Sequence, residues 1–301
     1  MLAAAAAVAA GDPGGAPSFR ADPPVELVGP GVISTPASEI RIAISPDGRR
    51  ALWGAIDRAG GLGGWDIFES ARNDSAPAPA PSPASASTST WGPAKAVSFD
   101  SKENDFDPAF APDGLGVYFF SNRKGGLGGD DIYFVSLDPK TGSYGSAVNL
   151  GPEINSPKDE WAPAVSPDGA RLLFATDGRG GRGMHDLFVA EREGQRWVRA
   201  RNLAELNTEK EDLDATFLPD GHSIVLTSGD LEGTVALYYV PWVSGRYGSR
   251  QALGGTVNQR DASSFGPAVS ATEPGVLYFN SRRPEGPGRQ DIFSVRYTIA
   301  P

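Results

Sequence analysis

Five times along the chain, a stretch that mixes large apolar and small residues runs into the same polar turn. Ser45-Pro46-Asp47-Gly48 recurs as Ala111-Pro112-Asp113-Gly114, Ser166-Pro167-Asp168-Gly169 and Leu218-Pro219-Asp220-Gly221, with a degenerate copy at Ser270-Ala271-Thr272. Seven residues before the aligned Asp stand Ile40, Phe106, Trp161, Leu213 and Phe265; three before it stand Ile44, Phe110, Val165, Phe217 and Val269. Between them, four before the Asp, come Ala43, Ala109, Ala164, Thr216 and Ala268. The even offset between the two large positions predicts a strand carrying both on one face. Pro then presets φ, Asp accepts local backbone N–H groups, and Gly takes the left-handed position, so each copy turns sharply.

Each turn leads into a second apolar strand, such as Val117-Tyr118-Phe119-Phe120 or Leu172-Leu173-Phe174. A Gly-rich loop and a third strand follow, the latter opened by Asp66, Asp131, Asp186 and Asp291 in four copies. A fourth strand comes after an aromatic residue, as in Ala147-Val148-Asn149-Leu150 after Tyr144. The aligned positions 47, 113, 168, 220 and 272 are 66, 55, 52 and 52 apart, and the first interval contains an 18-residue Pro/Ala/Ser segment, Asn73–Thr90. Without that segment the period is about 50, the range of propeller blades. The prediction is an all-β, five-bladed propeller with four antiparallel strands per blade.

The fifth copy reaches only its third strand, ending near Tyr297. Val25-Glu26-Leu27-Val28-Gly29-Pro30 reads like Val148-Asn149-Leu150-Gly151-Pro152, so the N-terminal segment is expected to complete the last blade and hide its edge. The expected blades are about 37–97 (insert 73–90), 103–150, 158–204, 210–254, and 262–298 with a closing strand at about 24–29. Together they make one domain over 19–301, after a tail of about 18 residues.

Composition narrows the chemistry. Lys+Arg 27 against Asp+Glu 37 gives a net charge of −10, which argues against nucleic acid and anionic membrane surfaces. There is no Cys, which removes disulfides, thiolate nucleophiles and Cys-ligated metals, and only two His. Leu2–Ala10 (LAAAAAVAA) resembles the core of a secretory signal lacking its basic start, and is too short to span a bilayer. Asn73–Thr90 has the composition of a disordered surface loop.

The repeats resemble the TolB-type propeller family, whose WD40-like repeats carry the Pro-Asp-Gly turn. The resemblance covers about residues 25 to 298. It is densest over Asn149–Phe188, where NLGPEIN, KDEWAPAVSPDG and HDLF look like its exported bacterial members. It implies a periplasmic or secreted protein with a binding or scaffold role, monomeric, with a cell-envelope protein or a glycan as partner and no cofactor.

Candidate site residues cluster ahead of the first strand. Eight before the aligned Asp stand Glu39, Asp105, Glu160 and Asp212, with Ser264 in the fifth copy. Asp159 and Glu211 lie one residue earlier, Asp107 and Asp214 two later. The first strand of a propeller blade lines the central channel, so Glu39, Asp105, Asp107, Glu160, Asp212 and Asp214 are expected to form an acidic mouth for a protein, glycan or cation. The alternative is a carbohydrate-active hydrolase using Glu39, Asp105 and Glu160. The turn residues Asp47, Asp113, Asp168 and Asp220, and the strand-opening Asp66, Asp131, Asp186 and Asp291, are expected to hold the repeat together. Calcium is a minor reading of the second set, whose loops lack alternating Asp ligands. Gly178-Arg179-Gly180-Gly181-Arg182-Gly183 fits a dinucleotide fingerprint but precedes a strand where that site needs a helix. His185 and His222 are expected at the surface. No G-x-S-x-G, H-E-x-x-H or Walker motif occurs.

Overall fold

The computed structural model describes residues 16–73 and 90–301. The signal-like Leu2–Ala10 and nearly all of the Asn73–Thr90 segment lie outside the described residues. Among the described residues there is no helix, and so none long and apolar enough to cross a membrane. The chain forms five four-stranded antiparallel sheets. Their inner strands are Ser38–Ile44, Asp105–Phe110, Glu160–Val165, Glu211–Phe217 and Ser264–Ser270, each touching the next around a ring.

Strand period 2 gives every blade two apolar faces, and these meet in five clusters, one per blade interface. Leu52 and Ile67 of blade one face Val117 and Phe119 of blade two. Trp53 and Phe68, on the other face of blade one, meet Tyr278 and Ile292 of blade five. The packing is therefore a cycle rather than a single core.

Ring closure uses the N-terminal segment. Ser18–Leu27 runs antiparallel to Asp291–Ala300, with Ser18 opposite Ala300 and Leu27 opposite Phe293. The strand begins earlier than the Val25 match suggests, because Phe19 and Ala21 also pack into the cluster between blades four and five. The Phe19 ring stacks on Tyr297 at 4.8 Å. A small extra hairpin, Trp242–Val243 with Arg246–Tyr247, precedes the outer strand of blade four.

One expectation about the inner strands is corrected. All five carry a β-bulge, with register shifts at Ile40/Ile42, Phe106/Ala109, Trp161/Ala164, Leu213/Ala215 and Phe265/Ala268. The residue six before the aligned Asp has positive φ in every blade: Arg41 37°, Asp107 45°, Ala162 53°, Asp214 33° and Gly266 55°. The added residue breaks the alternation. In blade two, Phe106 and Ala109 therefore face blade three while Phe110 faces blade one, not the single face implied by the even offset.

Candidate functional site

The repeated turns and loops are self-contained. Asp47, Asp113, Asp168 and Asp220 accept the N–H two residues on, from Arg49, Leu115, Ala170 and His222, at 2.9–3.0 Å. The Gly that follows each has φ of 72–73°. Asp66 accepts N–H groups from Leu62 and Gly63, Asp131 from Leu127, Asp186 from Arg182 and Gly183, and Asp291 from Gly288. The amides of the Gly178–Gly183 loop that a phosphate would need are thus turned partly toward Asp186.

The four carboxylates eight before the aligned Asp are fully buried, each inside its own blade. Glu39 accepts the Thr35 N–H and hydroxyl and faces Arg58 at 3.6 Å. Asp105 accepts the Ser101 N–H and hydroxyl and pairs with Arg123 at 2.5 Å. Asp212 accepts the Thr208 N–H and hydroxyl and pairs with Arg250 at 2.6 Å. Glu160 accepts the Ser156 N–H and the Thr176 hydroxyl, both at 2.7 Å. These residues cap the turns that lead into the inner strands, each with partners in its own blade. Burial pushes Glu39 up to about 7, against the Thr35 hydrogen bonds, and raises Glu160 as well.

Asp107 and Asp214 behave differently. Both occupy the bulge position of their inner strands, near Arg41 of the equivalent bulge in blade one. Arg41 donates to the Ala215 carbonyl at 3.2 Å and lies 3.8 Å from the Asp214 carboxylate. Asp214 also accepts the Gly266 N–H at 3.0 Å. Burial first, then repulsion from Asp214, raises the Asp107 carboxyl, with Arg41 opposing. Burial likewise raises Asp214, against Arg41 and the Gly266 N–H. One buried guanidinium thus serves two carboxyls among the inner strands, toward the end of the ring where those strands begin.

The same end carries the Gly-rich loops. A Cβ at Gly63, Gly128, Gly183 or Gly288 would lie about 2 Å from the carbonyl oxygen of Glu103, Lys158, Lys210 or Ala37 in the next blade. Only glycine allows that approach. The loops expose Leu62, Leu127 and Met184 on three successive blades. Sequence reading missed the arginines behind this face. Arg58 donates to Val32 and Ile33 carbonyls, Arg123 to Phe99, and Arg283 to Thr256 and Val257. Each guanidinium also sits over two aromatic rings of its blade.

Both histidines correct the sequence expectation of a surface position. His185 is 5% exposed; its Nδ1 is 2.9 Å from Glu211 and its ring stacks on Trp161 at 3.8 Å. His222 is half-buried, with Nδ1 3.0 Å from Arg171 and its ring against Trp242 at 5.2 Å. Beside His185 lie Asp159 and Asp177, a grouping with the donor types of a metal site.

No family profile and no curated protein matches the chain. Solved structures do. A putative TolB from Agrobacterium tumefaciens is similar over 93% of this chain and 91% of its own, at TM-score 0.51 and 16% identity. TolB from Acinetobacter baumannii is similar over 88% of this chain and 58% of its own, at TM-score 0.49 and 14% identity. A puromycin-hydrolysing peptidase from Mycobacterium tuberculosis is similar over 80% of this chain but 34% of its own, at TM-score 0.41 and 18% identity. At these identities the first likeness shows the propeller fold and nothing finer.

Proposed function

We propose that the protein is a non-catalytic binding module of the bacterial cell envelope, working in the periplasm or outside the cell. Its working face is the end bearing the Gly-rich loops, and its partner is a protein segment with a basic group flanked by apolar side chains. The observation that carries this reading is the exposure of Leu62, Leu127 and Met184 on equivalent loops of three successive blades, at one end of the ring. Exposed apolar side chains repeated on one face favour protein association. A net charge of −10 favours a basic partner. A hydrolase would need a free carboxylate pair, whereas Glu39, Asp105, Glu160 and Asp212 are spent on capping bonds.

Fluorescence anisotropy with labelled Arg-centred apolar peptides tests the reading, with acidic apolar peptides as controls. The basic peptides should bind more weakly as salt rises. Joint replacement of Leu62, Leu127 and Met184 by Ser should weaken binding at least tenfold. Equal binding by the variant would sink the proposal. So would turnover of aryl glycosides or polysaccharides that disappears in Glu160→Gln.

A further inference from the structure

Outside the channel, one group of side chains has a donor set without a use. Asp159 lies just before the inner strand of blade three, Asp177 just after its second strand, and His185 just before its third. One ring nitrogen of His185 and one oxygen from each Asp lie within 4.8 Å of one another. Nδ1 is engaged by Glu211, which also accepts the His185 backbone N–H at 3.1 Å. The remaining nitrogen, Nε2, is buried and has no hydrogen-bond partner. An imidazole nitrogen in that state normally finds a donor or a metal.

The geometry points to a site for a divalent transition-metal ion, Zn²⁺ or Mn²⁺, ligated by His185 Nε2, Asp159 and Asp177. A carboxylate on Nδ1 fixes the tautomer that leaves the Nε2 lone pair free, the arrangement found behind metal-bound histidines. Trp161 holds the ring plane by stacking, while its own Nε1 donates to Asp130 at 2.7 Å. Nitrogen with carboxylate oxygen suits borderline ions better than calcium, which takes more oxygens and no imidazole.

Asp159 keeps one oxygen on the Asp130 N–H at 2.8 Å, leaving the other for the ion. Asp177 accepts the Asp159 N–H at 3.2 Å and pairs with Lys158 at 3.1 Å. Lys158 is 61% exposed and swings away at little cost, so the ion takes its place. Tetrahedral ligands about a zinc ion sit about 3.4 Å apart, so the three donors draw together when the ion binds. Asp177 is 21% exposed, so the site opens to solvent and leaves a fourth position for water. Other blades have Trp65, Asp130, Val235 and Gln290 where blade three has His185, which confines the site to one blade.

Two measurements test this. Chelator-treated full-length protein is titrated with ZnCl₂, MnCl₂ or CaCl₂ by calorimetry. One equivalent of zinc or manganese should bind, at least a hundredfold tighter than calcium. Asp177→Asn and His185→Gln should each lose at least tenfold in affinity. Glu211→Gln, a change to a positioning residue, should lose tenfold to a hundredfold at unchanged stoichiometry. Because the chain has only two histidines, long-range ¹H–¹⁵N spectra of the wild type resolve both imidazoles without any variant. Zinc should shift Nε2 of His185 and leave His222 in place. Absence of a stoichiometric equivalent, calcium binding as tight as zinc, or an unmoved His185 resonance would each overturn the site. Peptide binding at the channel face is read separately, so failure of either proposal leaves the other standing.

Discussion

Replacing Asp100 by Asn should stabilise the propeller, and by an amount that depends on pH in a defined way. Asp100 occupies a position that recurs in every blade as Ser34, Asn155, Asn207 and Asn258. Each Asn accepts the first-core-residue N–H of a third strand and returns an Nδ2–H to the carbonyl of the same residue: Ile132, Leu187 or Leu237. Asp100 accepts the Ile67 N–H at 3.1 Å, but its second oxygen is buried without a partner. Burial pushes its pKa from 3.8 up to about 8, helped by Asp105 and Asp66 and opposed by the Ile67 N–H. A carboxyl raised on folding binds its proton in the native state alone. Stability is therefore unaffected below the unfolded pKa and falls as pH rises from about 4 towards 8. At pH 7 the penalty is as much as about 4 kcal/mol, from roughly three units at 1.36 kcal/mol each. Asn removes it and adds a hydrogen bond worth ~1 kcal/mol. Urea unfolding followed by Trp fluorescence should show Asp100→Asn more stable by about 2–4 kcal/mol at pH 7, and by about 1 kcal/mol or less near pH 4. Equal stabilities at pH 7, or the same pH slope in both proteins, would refute the reasoning.

Other outcomes follow from the same contacts. Arg41→Met should cost about 3–5 kcal/mol by urea titration, because it leaves Asp107 and Asp214 buried without their cation; adding Asp107→Asn should recover part of the loss. Phe19→Ala should cost about 2–4 kcal/mol through lost stacking on Tyr297 and a lost tilted ring contact with Tyr239, read as a lower thermal midpoint. Gly183→Ala should cost about 1–3 kcal/mol in the same assay, since its Cβ would meet the Lys210 carbonyl oxygen at 1.9 Å.

The blades were legible because Pro-Asp-Gly and the strand-opening Asp recur in residue type as well as in spacing. The bulge was not, because its defining residues are Arg41, Asp107, Ala162, Asp214 and Gly266, which share a backbone conformation and no chemistry. That omission also blurred the acidic set: Asp105 and Asp107 look equivalent in a regular strand, while Asp105 caps its own turn and the bulge brings Asp107 near Arg41. The supporting arginines were hidden by loop-length variation. Arg123 stands ten residues after its turn Asp, whereas Arg58 and Arg283 stand eleven after the aligned positions 47 and 272. His185 looked like a surface residue because its partners, Glu211 and Trp161, are supplied by other strands across a blade boundary and within blade three.

The pairing of Ser18–Leu27 with Asp291–Ala300 sets the timing of assembly. Ser18–Leu27 must wait, unpartnered, until Asp291–Ala300 has been made. During synthesis Phe19 has neither Tyr239 nor Tyr297 to lie against, and four finished sheets stand as an open arc. Shortening either terminus into these segments would unseat the same seam, so lesions some 270 residues apart should produce one shared defect.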